Sequence, residues 1–235
     1  MAKRGIVKKV NTRDTNDRPV RWRRYPYLFL IVCEDEKTEP YYFNTFKNEF
    51  PEETLFLRAI GTGRSAKGVV EQSLKERENL ISESNKNVDE VWVVFDKDDA
   101  DKVDATLKNF DEAFEIADSN EVNIAYSNEV FELWFLLHYQ NVSFNVPISR
   151  RDIYKLLEAQ VKKHPAFRTF EYEHGKIKII DAVIKTGNEN KAIERAIDLL
   201  NAHKETPPIK ANPSTVVHKV VIRLRELIEY YKQPI

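Results

Sequence analysis

A single cysteine, Cys33, occurs among 235 residues. This excludes an internal disulfide and any thiolate-built zinc centre, in keeping with a reducing compartment. Cys33 ends an apolar run and reads as a small buried hydrophobe. The five histidines show no zinc-ligand spacing. No stretch approaches the roughly 18 apolar residues of a membrane span, and no apolar signal segment follows Met1. The expectation is a soluble, cytoplasmic protein without a membrane partner. Internal repeats are absent. Gly61-Thr-Gly63, followed by Arg64, Ser65 and Lys67 at a helix start, lacks the spacing of a P-loop or a dinucleotide fingerprint. A plain strand-to-helix turn is favoured there over a phosphate cradle.

What is present is globular in character, with 42% hydrophobic and 32% charged residues. The length suits one large domain, or a domain with an appended subdomain. The net charge of −1 conceals an asymmetry. Residues 1–25 hold nine Lys and Arg against Asp14 and Asp17, about +7, which leaves about −8 on the remainder. Such an arm suits phosphates or an acidic partner, although a solvated tail explains it equally well.

Tyr27 to Cys33 is a continuous apolar run, the pattern of a strand covered on both faces. It leads into Glu34-Asp-Glu-Lys-Thr-Glu-Pro40. There Thr38 suits a helix cap and Pro40 the first turn of a helix through Tyr42, Phe43, Phe46 and Phe50. A second strand is expected over 54–60, a helix over 66–82, and a third strand over 91–95. An acidic helix over 99–119, a fourth strand over 122–126 and a buried helix over 127–138 follow. Four alternations of strand and helix predict a parallel sheet with helices on both faces. Beyond residue 145 a mainly helical C-terminal region is expected to pack on this domain. Ser149 caps its first helix, and Asn212-Pro213 serves as cap and first residue of its last. The expected organisation is an arm (1–25), an α/β domain (26–145) and a helical region (146–235).

Sites in such sheets lie beyond the carboxyl ends of the strands, and Glu34, Asp96 and Asp98 all fall there. Two ionised carboxylates about 6.5 Å apart repel by about 2.5 kcal/mol at an effective dielectric of 20. A group of this kind stays solvated, raises a pKa, or binds a hard cation such as magnesium. On spacing alone, Asp96 and Asp98 read equally well as N-terminal acids of the next helix, beside Asp99 and Asp101. Glu34, ending another inner strand, weighs for a site. Glu132, between Phe131 and Leu133, is costly to bury unless it is paired or reaches a metal. Lys37 suits a phosphate or its acidic neighbours. His138, near a helix C-terminus, is expected to favour its charged form as a cap.

Four stretches resemble the RloB-like family, related to the AbiL-type abortive-infection proteins. They are Ile31-Val-Cys-Glu-Asp-Glu-Lys-Thr-Glu-Pro-Tyr-Tyr-Phe43, Val94-Phe-Asp-Lys-Asp98, Ser127-Asn-Glu-Val-Phe-Glu-Leu-Trp-Phe-Leu-Leu-His138 and Asn212-Pro-Ser-Thr215. The resemblance implies a TOPRIM-like fold, with Glu34 matching a glutamate after the first strand and Asp96 and Asp98 an Asp-x-Asp after the third. It further implies magnesium or manganese held by Glu34, Asp96 and Asp98, and phosphodiester chemistry on DNA or RNA, tRNA included; Glu132 is a further candidate ligand from its apolar surroundings alone. Lys37, Arg64, Lys67 and His138 are the candidate substrate contacts, with the basic stretch Lys162–Arg168 and the arm on the nucleic-acid backbone. An AAA- or ABC-type ATPase encoded nearby in a phage-defence system is the implied partner, and a homo-oligomer stays open beside it. Asp35 stands where the family usually has glycine, and there it either crowds the loop or adds a ligand. Two other functions remain: a non-catalytic subunit docking on the ATPase, and another metal-dependent phosphotransfer enzyme.

Overall fold

The computed structural model describes residues 22–98 and 102–233. Most of the basic arm, together with Asp99 and Asp101, therefore lies outside the described residues.

Four parallel strands form the centre: β1 (Tyr27–Cys33), β2 (Leu55–Gly61), β3 (Glu90–Asp96) and β4 (Asn123–Asn128). A fifth, β5 (Ser214–Thr215), pairs antiparallel with β4, and the sheet order is β2-β1-β3-β4-β5. The apolar runs explain the centre. Phe29, Ile31 and Cys33 of β1 join Trp92 and Val94 of β3 on one face, while Leu28, Leu30 and Val32 join Val91, Val93 and Phe95 on the other. Burying each such side chain contributes about 1.5–3 kcal/mol.

The second of these faces is covered by α2 (Ala66–Ser84) and α3 (Asp104–Ser119). The first is covered by α1 (Thr38–Thr45), α4 (Glu132–Leu137), α5 (Arg150–Val161), α6 (Lys178–Thr186), α7 (Glu189–Ala202) and α8 (Val217–Lys232). Among the described residues, no helix is long and apolar enough to cross a membrane.

Several local expectations are corrected. The C-terminal region supplies a strand as well as helices. Ser127 and Asn128, expected in a helix, extend β4 by pairing with Thr215 and Ser214, so the buried helix shrinks to Glu132–Leu137. Asn212-Pro213 caps nothing, since α8 begins only at Val217. Instead the Asn212 amide donates to the Ile148 carbonyl (3.1 Å) and Glu129 Oε1 (3.1 Å), and its oxygen accepts from Ile148 N–H (2.9 Å). Ser149 does cap α5, accepting from Asp152 N–H.

Thr38 is the first residue of α1 rather than its cap. The Asp35 carboxylate accepts from the N–H groups of Lys37 and Thr38, and Glu39 Oε2 accepts from Asp35 N–H at 3.2 Å. This is a reciprocal capping arrangement. It gives Asp35 a role that neither reading of the departure from glycine anticipated.

Candidate active site

The sheet order places the crossover β1–β2 on one side of β1 and the entry to β3 on the other. The crevice between the carboxyl ends of β1 and β3 is therefore a topological switch point, where open α/β sheets leave room for a ligand. Glu34 and Asp96 sit there because each follows the last apolar residue of an inner strand. Glu34 is stitched in by its backbone: its N–H donates to Val94 O (2.8 Å) and its carbonyl accepts from Gly63 N–H (2.8 Å). Its Oε2 accepts from the Asp96 N–H at 2.9 Å, so the two acids are locked to one another across the strands.

A hollow of about 230 Å³ opens at this point, lined by Glu34, Ser65, Lys97, Asp98, Asn109 and Asp96 among others. A second, wider cleft of about 520 Å³ shares Glu34 and Ser65 with it and adds Lys37, Arg64 and His174. The three acids singled out from the sequence thus line one recess. They do not share a strand face, however. β3 ends at Asp96, Asp98 turns through left-handed backbone (φ 47°), and its Oδ1 meets the Arg150 guanidinium at 2.8 Å.

Two further acids reach inward. Glu39, in the first turn of α1, is 1% exposed, and Glu132 is 3% exposed. Tyr172 O–H donates to Glu132 Oε1 at 2.5 Å. The electrostatics record the crowding. Burial pushes the Glu34 carboxyl up to about 7, against the opposing Asp96 N–H and with help from the charges of Asp98 and Asp35. Asp96 is raised well above the usual carboxylate range by burial, then by Glu39, Glu34, Asp98 and Glu132. Burial likewise raises Glu39, with Glu34 and Asp35 adding to it. Glu132 is raised by burial too, although Tyr172 and His174 oppose the shift.

These shifts set a pH dependence. Between its ordinary value near 4.5 and about 7, Glu34 keeps its proton in the folded chain while the unfolded chain releases it. Folded stability is therefore lost as pH rises through that window and the full penalty stands above it. In EDTA, Glu34→Gln is expected to be more stable than wild type at pH 8 by on the order of 2 kcal/mol. The gap should close below pH 4.5; thermal melts at the two pH values check this, and a gap independent of pH would overturn it.

A cation is the other way to relieve such a cluster. The donor set is all oxygen, and Asp96 Oδ1 is sealed from solvent without a hydrogen-bond partner among the described residues. Both features suit a hard divalent ion. Among the described residues, no three His, Cys, Asp or Glu side chains are gathered in a metal-holding arrangement. The chemistry of the donors fits a cation, then, while the ligand geometry is not preformed.

The remaining sequence candidates fall elsewhere. Lys37 and Arg64 border the wider cleft. Lys67 pairs with Glu112 of α3 at 2.8 Å and lines neither hollow. Lys162–Arg168 follow α5, whose opposite end carries Arg150; twelve residues of helix span about 18 Å, which sets them well away from Asp98. His138 lies in a separate hollow with Tyr42, Glu189 and Arg225. The expectation that it is charged is overturned: burial, then the Arg195 charge, pushes it down to about 3.

His218 is similarly buried and pushed down to about 4. Both imidazoles stay neutral in the fold but charge in the unfolded chain below pH 6.5, so they cost stability as pH falls. His138→Gln is expected to soften acid unfolding between pH 6.5 and 4, measured by urea titration at each pH. An unchanged acid limb would remove His138 from that account.

Sequence reasoning assigned no site role to Glu39, Tyr154, Tyr172, His174, Arg150 or Glu129. Glu129 accepts from the Asn212 amide and pairs with the buried Lys97 at 3.4 Å, beneath the turn that carries Asp98. Glu39 had a faint signal, as an acid one helical turn past Asp35. The aromatic residues had none, since they arrive from the C-terminal region by packing alone.

Fold and site together define a mostly parallel α/β protein with a sunken carboxylate cluster at its switch point. The model of the RloB-like protein family matches residues 29–224, and the chain belongs to that family. Comparison with curated proteins and with solved structures finds no match.

Proposed function

We propose that this chain is a magnesium- or manganese-dependent phosphodiesterase of TOPRIM-like type, a nuclease acting on DNA or RNA. The observation that carries the reading is the meeting of Glu34 and Asp96 at the β1–β3 switch point, with the buried Asp96 Oδ1 left without a partner among the described residues. Asp96 and Glu34 would hold the cation, with Asp98 at the rim of the same hollow. A bound divalent ion supplies charge for a phosphoryl oxygen and an acidified water.

The chain's own residues do the rest. The Asp96 N–H orients the Glu34 carboxylate, leaving its other oxygen for a ligand or for a proton from water. Glu39 and Glu132 crowd the pocket with carboxyl groups, so that ionising the cluster is costly until a cation enters to offset the repulsion. Tyr172 O–H holds Glu132 in place. Lys37 and Arg64, at the mouth of the adjoining cleft, suit the flanking phosphates through a salt-sensitive attraction.

Membership of the RloB-like family supports placing this activity in an abortive-infection system of AbiL type, beside an ATPase partner. A metal-dependent cleavage assay on a panel of DNA, RNA and tRNA, with and without that ATPase, tests the reading. Cleavage that requires Mg²⁺ or Mn²⁺ is the expected result. A chain that cuts nothing in either condition, yet still binds the ATPase, would instead be a docking subunit.

A further inference from the structure

Beside the acids stands an aromatic array whose ring faces the proposed chemistry does not use. Tyr154 of α5 and Tyr172 of the following loop are stacked, with ring centroids 4.5 Å apart and planes 21° from parallel. His174 continues the array, its ring 6.2 Å from that of Tyr154 and tilted by 38°. Tyr172 ties the array to the acids through its 2.5 Å bond to Glu132. Tyr154 lies within the field of Glu132, Asp96 and Asp98, whose charges push its hydroxyl further up after burial has raised it. His174 is exposed and borders the same cleft as Glu34, Lys37 and Arg64.

We propose that Tyr154, Tyr172 and His174 form a base-stacking platform next to the carboxylates, so that the substrate strand engaged here is single-stranded nucleic acid. The inference rests on the phosphodiesterase reading and names the form of its substrate. Two physical arguments carry it. The first is access: Glu39 and Glu132 are almost fully buried, Asp96 Oδ1 is sealed, and the hollow of about 230 Å³ has room for one phosphodiester unit at the acids, which an unpaired strand can thread in most readily. The second is chemistry. Bases in a duplex are stacked on one another, whereas an unpaired base offers a free π-face to aromatic and imidazole rings. Lys37 and Arg64 supply backbone attraction in the same cleft, where His174 presents the exposed ring and the half-buried Tyr154 and Tyr172 stack behind it. A tie between α5 and its loop would account for the two tyrosines alone, but it calls for no exposed third ring at the cleft.

Fluorescence anisotropy on the full-length chain tests this, with Ca²⁺ replacing Mg²⁺ and gels confirming that the probe stays intact. The probes are a short labelled oligonucleotide, as DNA and as RNA, in three forms: single-stranded, fully paired, and abasic with the same phosphates. Single strands are expected to bind more tightly than the paired or abasic forms, by about 5- to 150-fold for each stacked base. His174→Ala and Tyr154→Leu should each lose affinity for the single strand and leave abasic binding unchanged, while Tyr154→Phe, which keeps the ring, should bind as wild type does.

Equal affinity for all three forms overturns the platform, as does a wild type that binds none of them. So does a His174→Ala variant that binds like wild type, which decides the matter even where Tyr154→Leu misfolds. Cleavage is followed separately with Mg²⁺. Single-strand preference without any cleavage would keep the platform and remove the phosphodiesterase; cleavage of duplex with no preference would do the reverse.

Discussion

Asp96→Asn and Glu34→Gln are each expected to lower metal-dependent cleavage by on the order of 10³-fold, while the chain stays folded. The size follows from the several kcal/mol of transition-state charge stabilisation that a correctly held cation contributes. Folding should survive because both substitutions preserve shape and remove a charge that the folded state disfavours. The carboxylates at these positions are pushed up, not down, so each ionised form costs stability in the absence of a cation. Glu34→Gln also keeps an oxygen for the Asp96 N–H to donate to. Loss of activity together with equal or higher metal-free stability is therefore the signature of a functional acid. Activity near the wild-type level in Asp96→Asn would place the chemistry elsewhere. Unfolding of both variants would show that the pair is structural.

The second large effect concerns Gly61, the last residue of β2. A Cβ there would lie 2.3 Å from the Asp35 carbonyl oxygen and 2.4 Å from Glu36 Cα, both backbone atoms. No rotamer change can relieve such a contact, so the Glu34–Glu36 segment must move. Overpacking of this kind costs about 1–3 kcal/mol, and more where backbone has to shift. Gly61→Ala is expected to destabilise by about 3 kcal/mol in urea unfolding and to lose cleavage beyond what its residual folded fraction explains. The reason is that Thr62 N–H and Gly63 N–H bond the carbonyls of Cys33 and Glu34, which tie the Glu34 backbone to this strand end. A Gly61→Ala chain with wild-type stability and activity would show that the loop tolerates displacement. The same geometry explains why Gly61-Thr-Gly63 matches no phosphate-binding spacing: Gly61 serves close packing beneath the acid loop.

The positions of the inner strands were legible because their residues are apolar on both faces, and such a run has one stable home in the middle of a sheet. Tyr27–Cys33 matched to the residue, and the third strand to within a residue at each end. Glu34 and Asp96 followed from this, since a polar residue ending a buried strand must emerge at its carboxyl edge. Ser214-Thr215 carried no such signal. Two small polar residues become a strand only because Ser127 and Asn128 lie alongside to accept them. Asp98, two residues past Asp96, would share its face only if the strand ran on, but the strand stops at Asp96 and Arg150 approaches from another element.

The sequence by itself determined the alternation of strand and helix, the two carboxylates at adjacent strand ends, and the separation of a basic arm from an acidic body. These depend on local pattern and on the alternation of side chains across a strand, which any stretch of chain carries within itself. Tertiary structure alone decided which acids face inward, which cations neutralise the others, and which aromatic rings stand beside them. Glu39 turns toward Asp96 because Asp35 caps its helix, and Tyr172 reaches Glu132 because the segment after α5 folds back onto the sheet. Contacts between residues tens of positions apart depend on how whole elements pack, and no periodicity records that.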